Sequence, residues 1–264
     1  MSELELIEEA FDALIPYVRE RHEDREYLDI SSKSHANDLV TEVDIEVQRQ
    51  LVSLIQEAFP DDVVVGEEGR YARYPGDPCA RAWLIDPIDG TQNFVRSLLP
   101  EFGISIAFSR GGLPVAGGVA FPVTGDVFLA ERGSGARRNG SPIHVSNVHS
   151  LSVARVEIDF GGPPARRPTL DRAREILLNA GQFRCHCAAV LGLCSVATGD
   201  GDGYVHVSLR PWDYAAGLLL AEEAGGTSSD LSGHPLQLFG QNDGVLVSNG
   251  HIHEELLAYV THVQ

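Results

Sequence analysis

The hydrophobic residues near the start of the chain recur with helical spacing. Apolar side chains at residues 7–18 return every three or four positions, which predicts a helix with one buried face. Pro16 lies inside this pattern and is expected to kink the helix or to cost it one hydrogen bond, and a broken helix would be no surprise. Residues 21–37 are polar and indicate a loop or hairpin. A second apolar stripe at residues 43–59 predicts another helix, which ends before Pro60.

Shorter apolar patterns typical of strands follow. Residues 63–65 and 82–85 are continuous apolar runs, as in buried strands, whereas residues 103–110 alternate and lead into a Gly111-Gly112 turn. Residues 91–98 are expected to form a helical turn, and residues 161–168 to be irregular. The remaining strands are predicted at 114–121, 126–131, 153–158, 204–207 and 245–247, and the remaining helices at 170–178, 188–198, 212–224 and 252–260.

This order of elements predicts an α/β (α+β) protein built from layered helices and sheets. Antiparallel strands dominate the first part of the chain, and strands alternate with helices in the second. A boundary near residues 146–151 divides the 264 residues into an N-terminal half, 1–147, and a smaller C-terminal half, 148–264. A chain of this length can bury a substantial hydrophobic core.

The composition narrows the classes of function. With 43% hydrophobic and 22% charged residues, the chain is typical of a globular protein. The formal net charge of -18 argues against a nucleic-acid polymer or an anionic membrane as partner. No apolar run is long enough to span a bilayer, and the acidic start, Met1-Ser2-Glu3, does not resemble a signal peptide. We therefore expect a cytoplasmic protein.

The cysteines are expected to be reduced. Cys79, Cys185, Cys187 and Cys194 are scattered along a chain that is too large to need disulfides for stability. Cys185-His186-Cys187 has the spacing of half a soft-metal site, but no second pair of ligands follows at a usable spacing. The pair is therefore predicted to be packing residues beside a loop.

The strongest chemical signal is the pair Asp86 and Asp89 in Trp83-Leu-Ile-Asp-Pro-Ile-Asp-Gly-Thr91, at the end of an apolar run. Two neighbouring carboxylates repel each other unless cations neutralise them, and oxygen ligands suit Mg²⁺ or Ca²⁺. Asp-Pro and Asp-Gly are also ordinary turn formers. For these residues alone, a metal site and a turn are equally supported.

Two further acidic positions favour the metal site. Glu67 follows the strand predicted at 63–65, in Gly66-Glu67-Glu68-Gly69, and Asp213 begins an apolar helical segment. Asp213 also suits a helix cap, and both roles are expected to coincide there. Glu68 is expected to be a solvated acid or one that supports its neighbour.

Four segments together resemble the inositol monophosphatase family of Mg²⁺-dependent, lithium-sensitive phosphatases. They follow the family's order and spacing over nearly the whole chain. The segments are Asp38-Leu-Val-Thr-Glu-Val-Asp44, Gly66-Glu-Glu68, Asp86-Pro-Ile-Asp-Gly-Thr91 with Asn93-Phe94, and Pro211-Trp-Asp213 with Ala224-Gly-Gly226. The resemblance implies an αβαβα sandwich with the active site between the two halves.

The resemblance also implies a set of metal ligands. Glu67, Asp86 and the carbonyl of Ile88 are expected to hold one Mg²⁺, and Asp86, Asp89 and Asp213 a second. A third, weaker ion beside Glu67 is usual in the family. Two divalent ions about 4 Å apart lower the pKa of an attacking water and stabilise the leaving oxygen, so no phospho-enzyme is required.

The remaining implied roles concern the reacting water and the phosphate. Thr91 and Asp44 are expected to position the water, with Glu67 also counted as catalytic, while the N–H groups of Gly90 and Thr91 hold the phosphate at a helix start. Lys33, the only lysine, is expected beside the metal site. Asp213 is counted among the substrate contacts as well.

The substrate is less defined, because two positions depart from the inositol-specific pattern. His206 replaces a glutamate, and Cys187-Ala188 replaces a Gly-Ser or Gly-Thr pair after Arg184. An inositol-1-phosphate-like polyol or sugar phosphate is expected. The alternatives are fructose 1,6-bisphosphate, histidinol phosphate and adenosine 3',5'-bisphosphate, with Arg184 and Arg210 facing a second phosphate. A non-catalytic binding protein is a further alternative. Dimers are common in the family, but no sequence feature here requires one.

Overall fold

The computed structural model describes residues 1–33, 39–96 and 98–261. Asp38, the first residue of the first family-like segment, lies outside the described residues. The helices are α1 (Glu3–Glu23), α2 (Glu42–Ala58), α3 (Thr91–Arg96), α4 (Pro163–Asn179), α5 (Ala189–Thr198), α6 (Pro211–Glu223) and α7 (His253–Thr261). The strands are β1 (Ile30–Ser32), β2 (Leu39–Thr41), β3 (Val63–Gly66), β4 (Ala82–Asp89), β5 (Gly103–Arg110), β6 (Leu113–Phe121), β7 (Asp126–Glu131), β8 (Ala136–Arg138), β9 (Ser141–Pro142), β10 (Arg155–Ile158), β11 (Gln182–Arg184), β12 (Gly203–His206), β13 (Thr227–Ser229) and β14 (Val245–Ser248).

These elements form five layers in the order αβαβα. Helices α1 and α2 cover one face of a seven-stranded sheet, and α5 and α6 lie between that sheet and a five-stranded one. Helices α4 and α7 cover the outer face of the second sheet. The predicted layered sandwich is confirmed, since each sheet buries both faces between helices.

The seven-stranded sheet follows chain order from β3 to β9. Only β3 and β4 pair in parallel, and each later neighbouring pair is antiparallel. Successive side chains of β4 point to opposite faces, so Trp83 and Ile85 join the cluster under α1 and α2 whereas Leu84 joins the cluster around α5 and α6. A strand buried on both faces explains the continuous apolar run at residues 82–85.

The five-stranded sheet has the order β11-β10-β12-β14-β13 and is mixed. Strand β10 pairs in parallel with β11 and β12, whereas β14 pairs antiparallel with β12 and β13. The prediction of two halves, 1–147 and 148–264, stays a prediction. Helices α5 and α6 belong to the second half in sequence, yet their apolar residues share one core cluster with the seven-stranded sheet.

Helix α1 continues through Pro16 without a break, so the cost at this position is the one lost hydrogen bond that the sequence predicts. The helix begins with a capping box, in which Ser2 Oγ accepts the Glu5 N–H and Glu5 accepts the Ser2 N–H. Leu14 and Val18, on either side of Pro16, are fully buried in one core cluster. Burial of this continuous face compensates for the one missing hydrogen bond.

The expectation that residues 161–168 are irregular is wrong, since α4 starts at Pro163. A proline in the first turn has no intrahelical hydrogen bond to lose. Pro168 lies deeper in the helix, where Thr169, Ala173 and Ile176 form its buried face.

The region predicted as a loop or hairpin at residues 21–37 contains the end of α1 and β1, which pairs antiparallel with β2. In the parts of the chain that the structure describes, no helix is long and apolar enough to cross a membrane.

Candidate functional site

Strand β4 carries Asp86 and Asp89 to its C-terminal end. Its pairing with β5 is regular as far as Asp86 opposite Ser105, then shifts register before Asp89 opposite Gly103. Such an irregularity bends a strand locally and redirects its side chains. Asp86 is 2% exposed, and its Oδ1 accepts the Ile88 N–H at 3.1 Å. The two aspartates therefore lie at a strand end, as the sequence predicts.

Glu67 and Asp213 reach the same place from other elements. Strand β3 runs parallel to β4, with Gly66 opposite Ile85, so Glu67 leaves its strand beside the end of β4. Asp213 lies in the first turn of α6, and its Oδ2 accepts the Arg210 N–H at 2.8 Å. Asp213 is therefore not the N-cap residue, which is Arg210, but its side chain caps the helix from the third helical position.

Most of the predicted site residues border one cavity of about 570 Å³. The cavity is lined by the four acids Glu67, Asp86, Asp89 and Asp213, which we call the carboxylate cluster. The other predicted residues that line it are Ile88, Gly90, Thr91 and His206. Arg184 instead lies in the exposed strand β11, and neither it nor Arg210 lines the cavity.

The carboxylates of the cluster repel one another. Burial raises the pKa of Asp86 well above its usual value, and Glu67 and its other acidic neighbours raise it further. Burial and Asp213 do the same to Asp89, although the Val190 N–H donates to its Oδ2 at 2.6 Å. Burial and Glu67 raise the pKa of Asp213 to about 7. Bound cations would relieve this repulsion, and the donors are the oxygens that hard divalent ions prefer.

The carboxylates of the cluster line the same cavity but do not converge on one point. Among the described residues, no three of its carboxylates bring oxygens within 4.8 Å of one another, so they do not surround a single point. A cluster that shares its ligands between two or three ions does not require such a point. The residues present therefore supply the oxygen donors that hard cations prefer.

Lys33 lies against the cluster rather than in the cavity lining. Its Nζ donates to Glu67 Oε1 at 2.7 Å and to Glu68 Oε1 at 2.5 Å. Burial acts to lower the pKa of Lys33, but the two carboxylates outweigh it and the pKa is raised. Glu68 is not a solvated acid, because its side chain is only 11% exposed and burial raises its pKa to about 7.

Asp44 lies opposite Thr91 at the start of α2. Asp44 is fully buried, and its Oδ1 accepts the Thr91 hydroxyl at 3.0 Å. Its Oδ2 accepts the Thr41 N–H at 2.8 Å and the Thr41 hydroxyl at 2.5 Å, which completes a capping box. Burial raises the pKa of Asp44, while the hydrogen bonds from Thr41 oppose that rise. These contacts hold the Thr91 hydroxyl in one orientation at the cavity.

Gly90 occupies a backbone conformation that only glycine adopts easily, with φ at 89°. A Cβ at this position would lie 2.9 Å from the carbonyl oxygen of Glu101 and 3.0 Å from Cβ of Ala188. The turn between β4 and α3 is therefore too tight for a side chain at position 90. Glycine at this position lets the chain pass close to Glu101 and Ala188.

His206 lies in the cavity wall and is 5% exposed. Burial lowers the pKa of His206 to about 4, so the ring is neutral near pH 7. The Ser208 N–H donates to Nδ1 at 3.0 Å, which leaves Nε2 to carry the proton. His206 thus offers the cavity a hydrogen-bond donor where a glutamate would offer an acceptor.

Sequence reasoning missed two residues in the cavity wall, Asp159 and Arg166. Asp159 directly follows β10, as Glu67 follows β3, so an acid after an apolar strand was a usable signal. Arg166 lies near the start of α4, in the segment predicted to be irregular, and no sequence pattern indicated it.

Comparisons with known proteins agree with this geometry. The fructose-1,6-bisphosphatase/inositol-1-monophosphatase of Thermotoga maritima is 39% identical over 238 residues, which cover 89% of this chain and 87% of that protein. The Nus factor SuhB of Vibrio cholerae is 35% identical over 207 residues, covering 77% and 76%. The structure of inositol monophosphatase from Anabaena (Nostoc) sp. PCC 7120 superimposes with a TM-score of 0.85 at 28% identity, over 99% and 96% of the two chains.

A second solved structure has the same fold. The extragenic suppressor protein suhB from Bartonella henselae superimposes with a TM-score of 0.88 at 26% identity, over 98% of each chain. The profile of the inositol monophosphatase family matches residues 3–264. The chain belongs to the inositol monophosphatase family.

Proposed function

We propose that this protein is a Mg²⁺-dependent phosphomonoesterase that hydrolyses a small polyol or sugar phosphate by attack of an activated water. The observation that carries the proposal is the carboxylate cluster, which lines the same cavity as the tight turn at Gly90. Asp86, Asp89 and Asp213 have raised pKa values and lie together with Glu67 at one cavity, which is costly to maintain unless the acids bind cations. The names of the relatives, which include a fructose-1,6-bisphosphatase/inositol-1-monophosphatase, support the same chemistry.

In this proposal Glu67, Asp86 and the Ile88 carbonyl hold one Mg²⁺, and Asp86, Asp89 and Asp213 hold a second, with a third ion beside Glu67. When bound, these ions lower the pKa of the water and stabilise the departing alkoxide. Lys33 neutralises part of the negative charge of Glu67 through their ion pair. We infer Mg²⁺ because all the side-chain donors are oxygen atoms.

The protein groups orient the reactants. The Thr91 hydroxyl, held by Asp44, positions the water: it can accept a proton from the water as it donates its own proton to the Asp44 carboxylate. The N–H groups of Gly90 and Thr91 bind phosphate oxygens in this proposal, because both residues line the cavity at the start of α3. Asp213 lies at the cavity wall, where the leaving alcohol can contact it.

A second candidate substrate is fructose 1,6-bisphosphate, which the name of the Thermotoga maritima relative also supports. Arg166 borders the cavity and can pair with a second phosphate, whereas Arg184 lies outside its wall. The donor on His206 suits a sugar hydroxyl or phosphate oxygen. Histidinol phosphate and adenosine 3',5'-bisphosphate remain alternative substrates.

The test is phosphate release from a panel of monoesters with and without Mg²⁺, and with added Li⁺. We expect release that requires Mg²⁺, falls with Li⁺, and is lost in Asp89→Asn. Asp61→Asn, on the exposed surface, is the matched control and should retain activity. Binding of metal and phosphate esters without any turnover would instead indicate a non-catalytic binding protein.

A further inference from the structure

A second group of metal-binding side chains lies at the rim of the same cavity. Cys185 Sγ, Cys187 Sγ and a carboxylate oxygen of Asp159 all lie within 4.8 Å of one another. The sequence places the two cysteines in a Cys-x-Cys segment, and the fold adds the aspartate from the end of β10. Both thiols are exposed, so they are not the packing residues that the sequence predicted.

We propose that Cys185, Cys187 and Asp159 form a binding site for a thiophilic divalent cation of the Zn²⁺ class, separate from the carboxylate cluster. The site supplies three protein ligands and leaves the fourth position open, as in zinc sites that bind an exchangeable ligand. It goes beyond the proposed phosphatase activity and does not depend on it.

The spacing of the sulfur atoms matches a metal chelate. The two Sγ atoms are 3.7 Å apart. Two thiolates bound to one tetrahedral Zn²⁺ at about 2.3 Å each are about 3.8 Å apart. A disulfide requires a distance of about 2 Å, so oxidation requires the loop to move whereas chelation does not.

Asp159, the third proposed ligand, holds the loop that carries the two cysteines in place. Asp159 is 4% exposed, and its Oδ1 accepts the N–H groups of His186 at 2.9 Å and Cys187 at 2.7 Å. The Tyr204 hydroxyl donates to Oδ2 at 3.3 Å. A carboxylate offers about four acceptor positions, so these bonds orient Asp159 and leave capacity for a metal.

The intervening histidine is engaged elsewhere, and the thiols are chemically distinct. His186 Nδ1 lies 3.0 Å from Glu101 Oε1, and its Nε2 lies 3.6 Å from Glu157 Oε2. The hydrogen bond with Cys185 lowers the pKa of Cys187 to about 7, while it raises the pKa of Cys185. Metal binding displaces both thiol protons, which are released to solvent.

The position of the site indicates its effect on the enzyme. Cys187 and Asp159 line the cavity that holds the carboxylate cluster. A cation on these residues narrows that cavity. This effect on turnover, unlike the metal site itself, rests on the proposed function: occupancy is expected to raise KM more than it lowers kcat.

The test uses Co²⁺ as a spectroscopic substitute for Zn²⁺, added to the reduced protein in excess Mg²⁺. We expect one equivalent to bind with a thiolate-to-cobalt charge-transfer band, and Zn²⁺ to abolish the band by competition. The band should be lost in Cys185→Ser and in Cys187→Gly, and Asp159→Asn should weaken binding at least tenfold. Cys187 has φ at 57°, so glycine removes the thiol without backbone strain.

Two controls separate this site from the rest of the molecule. Cys79→Ser removes an exposed thiol elsewhere and should keep the band. Asp89→Asn alters the carboxylate cluster and should also keep it, so the result is independent of whether the protein is a phosphatase. Absence of the band in the wild type, or its survival in both cysteine variants, would overturn the proposal.

Discussion

Replacing Asp44 with asparagine separates its two roles, as a helix cap and as the partner of Thr91. The asparagine oxygen can still accept from the N–H and hydroxyl of Thr41, because these two donors share Oδ2 of the aspartate. The amide nitrogen then faces Thr91 and donates to its hydroxyl oxygen. The Thr91 hydroxyl must turn towards the Ile88 carbonyl, 3.1 Å away, and no longer has a carboxylate to receive a proton.

The size of each effect follows from these contacts. Loss of a positioned proton acceptor reduces kcat by about 10²–10⁴. Asp44→Asn keeps the cap and relieves the buried charge, so the free energy of unfolding should change by no more than about 1 kcal/mol. Asp44→Ala loses the cap as well, and it leaves buried donors on Thr41 and Thr91 unpaired. Its expected cost is about 3 kcal/mol, after allowing for relief of the buried charge.

The assay combines steady-state phosphate release at saturating Mg²⁺ with urea unfolding of the same samples. A slow but stable Asp44→Asn, beside an unstable Asp44→Ala, would support the arrangement. If Asp44→Asn kept kcat within about threefold of the wild type, Asp44 could not be the proton acceptor for Thr91.

Three further predictions follow from burial and backbone geometry. Gly90→Ala should remove most activity because its Cβ meets the Glu101 carbonyl at 2.9 Å; kcat measurements check this, and an active variant refutes the tight turn. His206 binds a proton near pH 6.5 when unfolded but only near pH 4 when folded, so the unfolding free energy should fall by about 3 kcal/mol as pH drops through that window. Urea unfolding at several pH values measures this dependence. The unfolding free energy should depend less on pH in His206→Asn, which keeps an acceptor for the Ser208 N–H, and an unchanged pH dependence would contradict the assignment. Leu219→Ala, in the buried face of α6, should cost about 2–5 kcal/mol and keep one cooperative unfolding transition; two separate transitions would show that the sheets fold independently.

Local pattern predicted the strands most reliably. The bounds predicted at 103–110 and 126–131 are those of β5 and β7. Alternation of apolar residues marks the first of these, and a glycine turn follows it. The prolines were harder to interpret, because Pro16 and Pro168 both lie inside helices. Their cost is offset by tertiary burial, which local sequence does not show.

The candidate site was predictable where each residue follows a strand or begins a helix. That rule placed Asp86, Asp89, Glu67 and Asp213, and the structure brings them to one cavity. It could not place Arg184, because the position of an edge strand depends on how the second sheet is ordered. Contacts between distant segments, such as that between Lys33 and Glu68, arise from folding and cannot be predicted from the spacing of residues in the sequence.

The central helices α5 and α6 have a consequence for how the protein matures. Their apolar faces are shared by the sheets on both sides, and α6 also supplies Asp213. A chain that ends after its first sheet lacks the helices that cover the second face of that sheet, and it lacks the last of the four acids. The proposed metal site is therefore incomplete in any truncated product that ends before α6.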